Sequence, residues 1–388
     1  MRISSSFSPI FILAALAAWL GGCGSSFPHD SARIVWSADS AGPAPGMLAA
    51  YTLGPGSIEV PAVYESPIIA STLGVEQLAV SWNADVPPRT GMWVEVRVRA
   101  DPDAMWSDWL LLGGAGSIAC PSPRTQTPAG LKVDVDILTN KTWFRDAQLR
   151  ISAAGEGKVQ LHRIDIVRSL AFSRIASGLR KERLSNAPNW TKLGLPSSVQ
   201  LDIPFLTQKT SRPELSGRLC SPTSVAMVVS WAQSPVSVET VANAAYDAPH
   251  DIYGNWPRNV QAAWEQGVPG KLVRIGTLKD AWRLLAAGVP IVASIKSKPS
   301  ELAGAPYSET DGHLIVLRGY DSDGNFLVND PAGSDAAKGQ LVYARRDIAT
   351  VWLTNGRGTA YLFTKPGQQH LLDSLEAPAS PSAAEQTR

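Results

Sequence analysis

The sequence predicts two dissimilar domains. An all-β sandwich or jelly roll spans 33–169, and an α+β domain spans 200–365, with helices packed on an antiparallel sheet. Three observations point to this. The first half alternates apolar and polar residues between Gly/Pro turns, as half-buried antiparallel strands do. The second half places capped apolar helices ahead of strands, which segregates helix from sheet. With 388 residues, 13 Trp and 44% hydrophobic residues, the chain can fill two cores rather than one.

The first 22 residues stand outside both domains. Arg2 precedes the apolar run Ile10–Leu20, which is short for a bilayer span and is expected to be a signal peptide. Leu20-Gly21-Gly22-Cys23 places small residues and a Cys at the end of that run. This pattern looks like a bacterial lipobox, so Cys23 is the expected lipidation site and the membrane an expected partner. The expected location is extracytoplasmic, on the cell envelope. An ordinary secretory signal with an incidental Cys is the alternative. Residues 23–32 form the expected tether. Removing residues 1–22 takes away one of the 35 basic residues, leaving 34 of each sign. That balance implies no basic surface, and no nucleic-acid partner is expected.

In the sandwich, Gln77–Trp82, Trp93–Ala100, Leu131–Ile137 and Val159–Val167 alternate cleanly, and clusters such as Asp85–Gly91 separate them. Trp106 and Trp109 flank Ser107-Asp108 near a strand start. Exposed aromatics of this kind bind sugars in many sandwiches, so a cell-envelope glycan is a possible partner. Filling the sandwich core is the favoured role for most of these Trp, with an outward-facing Trp106 or Trp109 as the alternative. Residues 170–199 carry Arg174, Arg180, Lys181 and Arg183, then Pro188 and Trp190, and form the expected linker. The tail 366–388, rich in Ala, Pro, Ser, Glu and Gln, is expected to be disordered.

In the second domain, Ser221–Trp231 is an apolar helix. Ser237 caps a helix from Val238, and Thr277 caps one over Leu278–Ala287 with Gly288 closing it. Trp256–Gly267 has Pro257 at its start and Gly at its end, the expected asymmetry. The segments Val289–Ile295, His313–Tyr320, Phe326–Asp330, Leu341–Tyr343 and Ala360–Phe363 supply the sheet.

Chemistry concentrates in four places. Cys220 immediately precedes Ser221-Pro222 and so stands at a helix N-terminus, where unsatisfied amides lower a thiol pKa. A free Cys outside the cytosol needs a reason, and the chain has only three Cys: Cys23, Cys120 and Cys220. Position alone leaves a buried structural thiol equally open. His313 opens an apolar strand, and Asp330 ends the next. The connection Asp321–Asn325 has the composition of a hairpin turn. A turn centred on Asp321-Ser322 sets His313 opposite Asp330. Centred one residue later, it sets His313 opposite Ala332, with Asp330 still on the same face. An odd loop or a bulge breaks that expectation. Asp330 then holds one imidazole nitrogen while the other faces the thiol. Gln208 can donate to a developing oxyanion together with the Cys220 amide.

Asp321–Asn325 echoes a calcium loop but has Ala332 where the twelfth-position carboxylate belongs, so it is expected to be a turn. His29, His162, His250 and His370 lack companions at metal-ligand spacing, and no metal or other cofactor is expected.

Leu201-Asp-Ile-Pro-Phe-Leu-Thr-Gln208, Leu219-Cys220-Ser-Pro-Thr-Ser224, Asp311-Gly-His313-Leu-Ile-Val and Val328-Asn-Asp330-Pro-Ala stand in this order. Together they resemble the bacteriocin-processing, double-glycine-leader type of papain-like cysteine peptidases. The resemblance covers about Val199–Phe363. It implies Cys220 as nucleophile, His313 as base, Asp330 as orienting acid and Gln208 in the oxyanion hole, with a peptide or protein substrate. More loosely, residues 33–169 resemble the sandwich found before this domain in some exported bacterial proteins. The family commonly has Gly after the Cys. Ser221 departs from that, and a side chain there is expected to narrow the site. The same triad also serves a cell-wall amidase or an acyl or amide transferase. A non-enzymatic envelope binding protein with a decayed site is the third reading.

Overall fold

The computed structural model describes residues 29–34, 56–58, 62–71, 74–118, 125–127, 130–170, 187–210 and 212–373. The expected signal peptide, Cys23, Cys120, most of the expected tether, residues 171–186 of the linker and residues 374–388 of the tail lie outside them.

The N-terminal half is all-β, in two antiparallel sheets. One contains β1 (His29–Ile34), β10 (Val159–Leu170), β4 (Val75–Asp85), β8 (Ile137–Phe144) and β7 (Leu131–Asp134) in that spatial order, with β2 (Gly56–Ile58) also on β10. The other runs β3 (Ala62–Glu65), β9 (Asp146–Gly155), β5 (Thr90–Arg99), β6 (Leu110–Gly116). Alternation decides which side chains enter the core. On β5, Val94, Val96 and Val98 point in, and Trp93, Glu95, Arg97 and Arg99 point out. The inward residues of both sheets form one cluster around Trp82, Met92, Leu112 and Phe144.

One expectation fails here. Leu131–Ile137 is not one strand, because the chain reverses at Val135-Asp136, both left-handed at φ 48° and 60°. A two-residue hairpin turn needs that conformation, which Val rarely adopts. A tertiary contact supports it: the buried Asp136 carboxylate accepts from Asn255 Nδ2 at 2.9 Å. Trp106 and Trp109 take the outward-facing alternative rather than the core. They lie partly exposed, with the Arg97 guanidinium 4.9 Å from one ring centroid and 4.7 Å from the other. Arg99 stacks on Trp106 and Arg150 on Trp109.

The C-terminal half is α+β. Its sheet runs β12 (Gly270–Arg274), β17 (Thr359–Phe363), β13 (Ile291–Ser297), β14 (Thr310–Tyr320), β15 (Phe326–Asn329), β16 (Gln340–Tyr343), all antiparallel, with β11 (Val199–Gln200) on β14. The longer helices are α1 (Cys220–Ala232), α2 (Val238–Ala245), α3 (Trp256–Glu265) and α4 (Leu278–Ala286). The expected caps are present. Ser237 Oγ accepts from Thr240 N, and Thr277 Oγ1 from Asp280 N, both at 3.0 Å. Every residue of α1 from Ser221 to Val229 is buried, so it is a central helix rather than an amphipathic one.

Two boundaries move. The end of the expected linker belongs to the α+β domain. Trp190 stacks on Tyr320 at 4.8 Å, meets Trp282 edge-on, and donates from Nε1 to Ser322 O at 2.7 Å. The expected tail is ordered through Asp373, because Leu372 is fully buried in the domain core.

The domains share an interface built on an exposed sheet edge. β12 is the edge strand of the second sheet, and its outward backbone groups need partners. β4 supplies them. Asn83 Nδ2 donates to Gly270 O at 3.0 Å and its Oδ1 accepts from Gly270 N at 3.2 Å, while Ser81 Oγ accepts from Leu272 N at 3.0 Å. Gln261 on α3 returns the favour to β4, bonding both N and O of Ala84 at 3.1 and 2.8 Å. This is why Leu78–Ala84 is buried on both faces, although its sequence alternates like a half-exposed strand.

Candidate active site

Cys220 is the first residue of α1, where backbone amides have no intrahelical acceptor. It is a free, partly exposed thiol. His313 lies on β14, which packs against α1, and Ser224 Oγ donates to Leu314 O at 3.1 Å across that contact. His313 Nε2 bonds Asp330 Oδ1 at 2.8 Å. The other ring nitrogen, Nδ1, is left to interact with the Cys220 thiol, which helps to raise the His313 pKa.

The hairpin between His313 and Asp330 reaches this geometry by a route neither simple turn describes. The loop Asp321–Asn325 is odd, and Tyr320 pairs with Phe326. Continued in that register, Asp330 lands on the opposite face from His313. A bulge at Arg318 shifts the ladder by one residue, so that Val316 pairs with Asn329 and Asp330 returns to the His313 face. Two irregularities that each break the expected pairing cancel.

Asp330 is fully buried, and its carboxylate is saturated. Besides the imidazole, Oδ1 accepts from Ala332 N at 3.0 Å, and Oδ2 accepts from the Tyr307 and Tyr343 hydroxyls at 2.9 and 2.8 Å. The electrostatics follow from this arrangement. Burial alone raises the Asp330 pKa, but the charge and hydrogen bond of His313, the Ala332 amide and the Tyr343 hydroxyl bring it below the ordinary carboxylate value. Burial alone lowers the His313 pKa, but the Asp330 charge and hydrogen bond, and then the thiol, push it up to about 10. Burial also opposes the Cys220 thiolate. The His313 hydrogen bond and charge, with the Leu314 and Ser221 amides, outweigh it and lower the thiol pKa.

Gln208 bridges the two sides of the site. Its backbone N donates to Pro331 O at 2.9 Å, beside Asp330, and its Nε2 donates to Ser216 O at 2.7 Å, in the turn leading to Cys220. One Nε2 proton remains for a ligand. Ser221 does not crowd the site as expected. It is fully buried, and its Oγ pairs with the Tyr361 hydroxyl at 3.0 Å, turned toward β17. Sequence reasoning missed Tyr307 and Tyr343. Tyr343 sits in a short apolar strand and reads as core; Tyr307 sits in a loop with no periodic signal.

Residues 200–360 match the Peptidase_C39 like family, and residues 59–168 match the Peptidase C39 N-terminal domain. No curated protein matches. Among solved structures, the peptidase domain of Streptococcus ComA, a bi-functional ABC transporter involved in a quorum-sensing pathway, is 16% identical. That match covers 38% of this chain and 93% of the other, with a TM-score of 0.28. A structure of infectious bursal disease virus (Gt strain) is 8% identical over 44% of this chain and 38% of the other, with a TM-score of 0.21. Residues 200–360 are thus similar to the Peptidase_C39 like family, and the all-β residues 59–168 ahead of them to the Peptidase C39 N-terminal domain.

Proposed function

We propose that the protein is a cysteine peptidase that hydrolyses a peptide amide through a thioester on Cys220, held outside the cytosol by a lipid on Cys23. The observation that carries the enzymatic part is the chain of contacts from buried Asp330 through His313 to a thiol at a helix N-terminus. In this reading the Cys220 thiolate attacks the scissile carbonyl carbon. The oxyanion is stabilised by the Cys220 amide and the free Nε2 proton of Gln208. The tetrahedral intermediate collapses as the imidazolium of His313 gives its proton to the leaving amine. Water, deprotonated by His313, then attacks the thioester, releasing the acid and restoring the thiol. Asp330 stays ionised throughout and keeps the imidazole oriented. The lipid anchor rests on Leu20-Gly21-Gly22-Cys23 following the apolar run.

A peptide library incubated with the full chain and with Cys220→Ala tests this. New N-termini that arise with the wild type and are absent with the variant support the peptidase. Transfer of the acyl group to an added amine without hydrolysis points to the transferase instead. Absence of any acyl adduct on Cys220 refutes both.

A further inference from the structure

The Asp330 carboxylate accepts two phenolic hydroxyls on the oxygen that faces away from His313. They arrive from different elements. Tyr343 comes from β16, the sheet neighbour of β15, and is buried. Tyr307 comes from the connection between β13 and β14 and is only partly buried. The Tyr307 ring also stands edge-on to the His313 ring, with centroids 4.9 Å apart and planes at 69°. One side chain therefore touches both the acid and the base without standing between them.

A carboxylate with two donors on one oxygen can neither rotate nor swap its oxygens without breaking both bonds. That fixes where Oδ1 points, and with it the imidazole it holds. Two hydroxyls also supply in a dry site the solvation that water gives an exposed carboxylate. Burial and the Asp330 charge raise both phenols above their ordinary pKa, so they remain donors across the working pH range. Tyr343 has no exposed surface to serve another purpose, whereas the Tyr307 loop is open to solvent at Ala303, Gly304, Pro306 and Ser308.

We propose that Tyr307 and Tyr343 are positioning residues: they lock the Asp330 carboxylate and so keep His313 aimed at Cys220, with Tyr307 also bracing the imidazole ring. This rests on the thiol-enzyme reading of the site.

The test is the rate of Cys220 alkylation by iodoacetamide across pH, resolved by peptide mapping, in the full chain, Tyr307→Phe and Tyr343→Phe. Each Phe keeps the ring and removes one donor. Loss of a hydrogen bond to a buried charge is expected to slow labelling at pH 6 on the order of tenfold. The acidic inflection should move toward higher pH, because a less secure Asp330 anion supports the imidazolium less well. A purely structural role lowers the melting temperature and leaves the inflection in place. Tyr307→Phe, partly exposed, is the variant that keeps its fold if Tyr343→Phe does not. Wild type and Tyr307→Phe with superimposable profiles overturn the positioning role and leave the enzyme reading intact. A wild-type Cys220 that labels only as an ordinary thiol overturns both.

Discussion

Replacing Asn83 by Ala removes the side chain that closes the edge of the peptidase sheet. Asn83 is 1% exposed and makes three hydrogen bonds, to Trp82 O, Gly270 O and Gly270 N, at 2.8, 3.0 and 3.2 Å. Gly270 begins β12 and is buried between the domains. A Cβ added there would lie 2.3 Å from a Phe363 ring carbon, so Gly270 packs directly against that ring. Asn83→Ala thus strands one buried N–H and one buried C=O. Each costs about 1–3 kcal/mol, and removing the buried amide itself offsets part of that, which leaves a net loss of about 2–4 kcal/mol. With a urea slope of about 3 kcal/mol/M, the unfolding midpoint should fall by roughly 1 M. Trp fluorescence and far-UV circular dichroism should report the same shift if the two domains unfold as one unit. A midpoint change below about 0.2 M would refute the argument that β4 satisfies the β12 edge. So would a fall confined to a sandwich transition, because Gly270 belongs to the other domain.

Four further outcomes follow from the site. Ser221→Gly orphans the buried Tyr361 hydroxyl and should cost about 1–3 kcal/mol by urea unfolding, while the rate of Cys220 alkylation stays unchanged; faster alkylation would mean that Ser221 does crowd the thiol. Gln208→Ala should lower kcat on a cleavable peptide by about 10²–10³ without moving the pH dependence of alkylation, since the proposed mechanism assigns Gln208 to the oxyanion and not to the thiolate. Turnover should rise as Cys220 ionises, below the ordinary thiol range, and fall as His313 loses its proton near pH 10. In Asp330→Asn the alkaline limb should move to lower pH, because the charge that raises the His313 pKa is gone; an unmoved limb contradicts that cause.

Much of the site was legible because its chemistry is local. A Cys beside Ser221-Pro222 announces a helix start, and the caps at Ser237 and Thr277 are within one turn of what they cap. The His313–Asp330 pairing was legible only in outcome. Its route depends on an odd loop and a bulge at Arg318 that composition does not reveal. What stayed hidden is long-range. The reversal at Val135-Asp136 has a contact to Asn255 behind it, the two-sided burial of β4 depends on β12, and the Tyr pair on Asp330 forms only once β16 and the β13–β14 connection have met. Trp106 and Trp109 take the outward-facing alternative for another reason. Large aromatics default to the core, but here Arg97, Arg99 and Arg150 cover them from the outer face.

The most direct test of the central claim is site-resolved alkylation of Cys220 across pH in the full chain and in His313→Ala. A thiolate–imidazolium pair predicts rapid labelling of Cys220 below pH 7, lost in His313→Ala, which should label only as the pH approaches that of a free thiol, about 8.5. If wild type and variant label alike, and only near that pH, His313 does not activate Cys220 and the proposed chemistry is wrong.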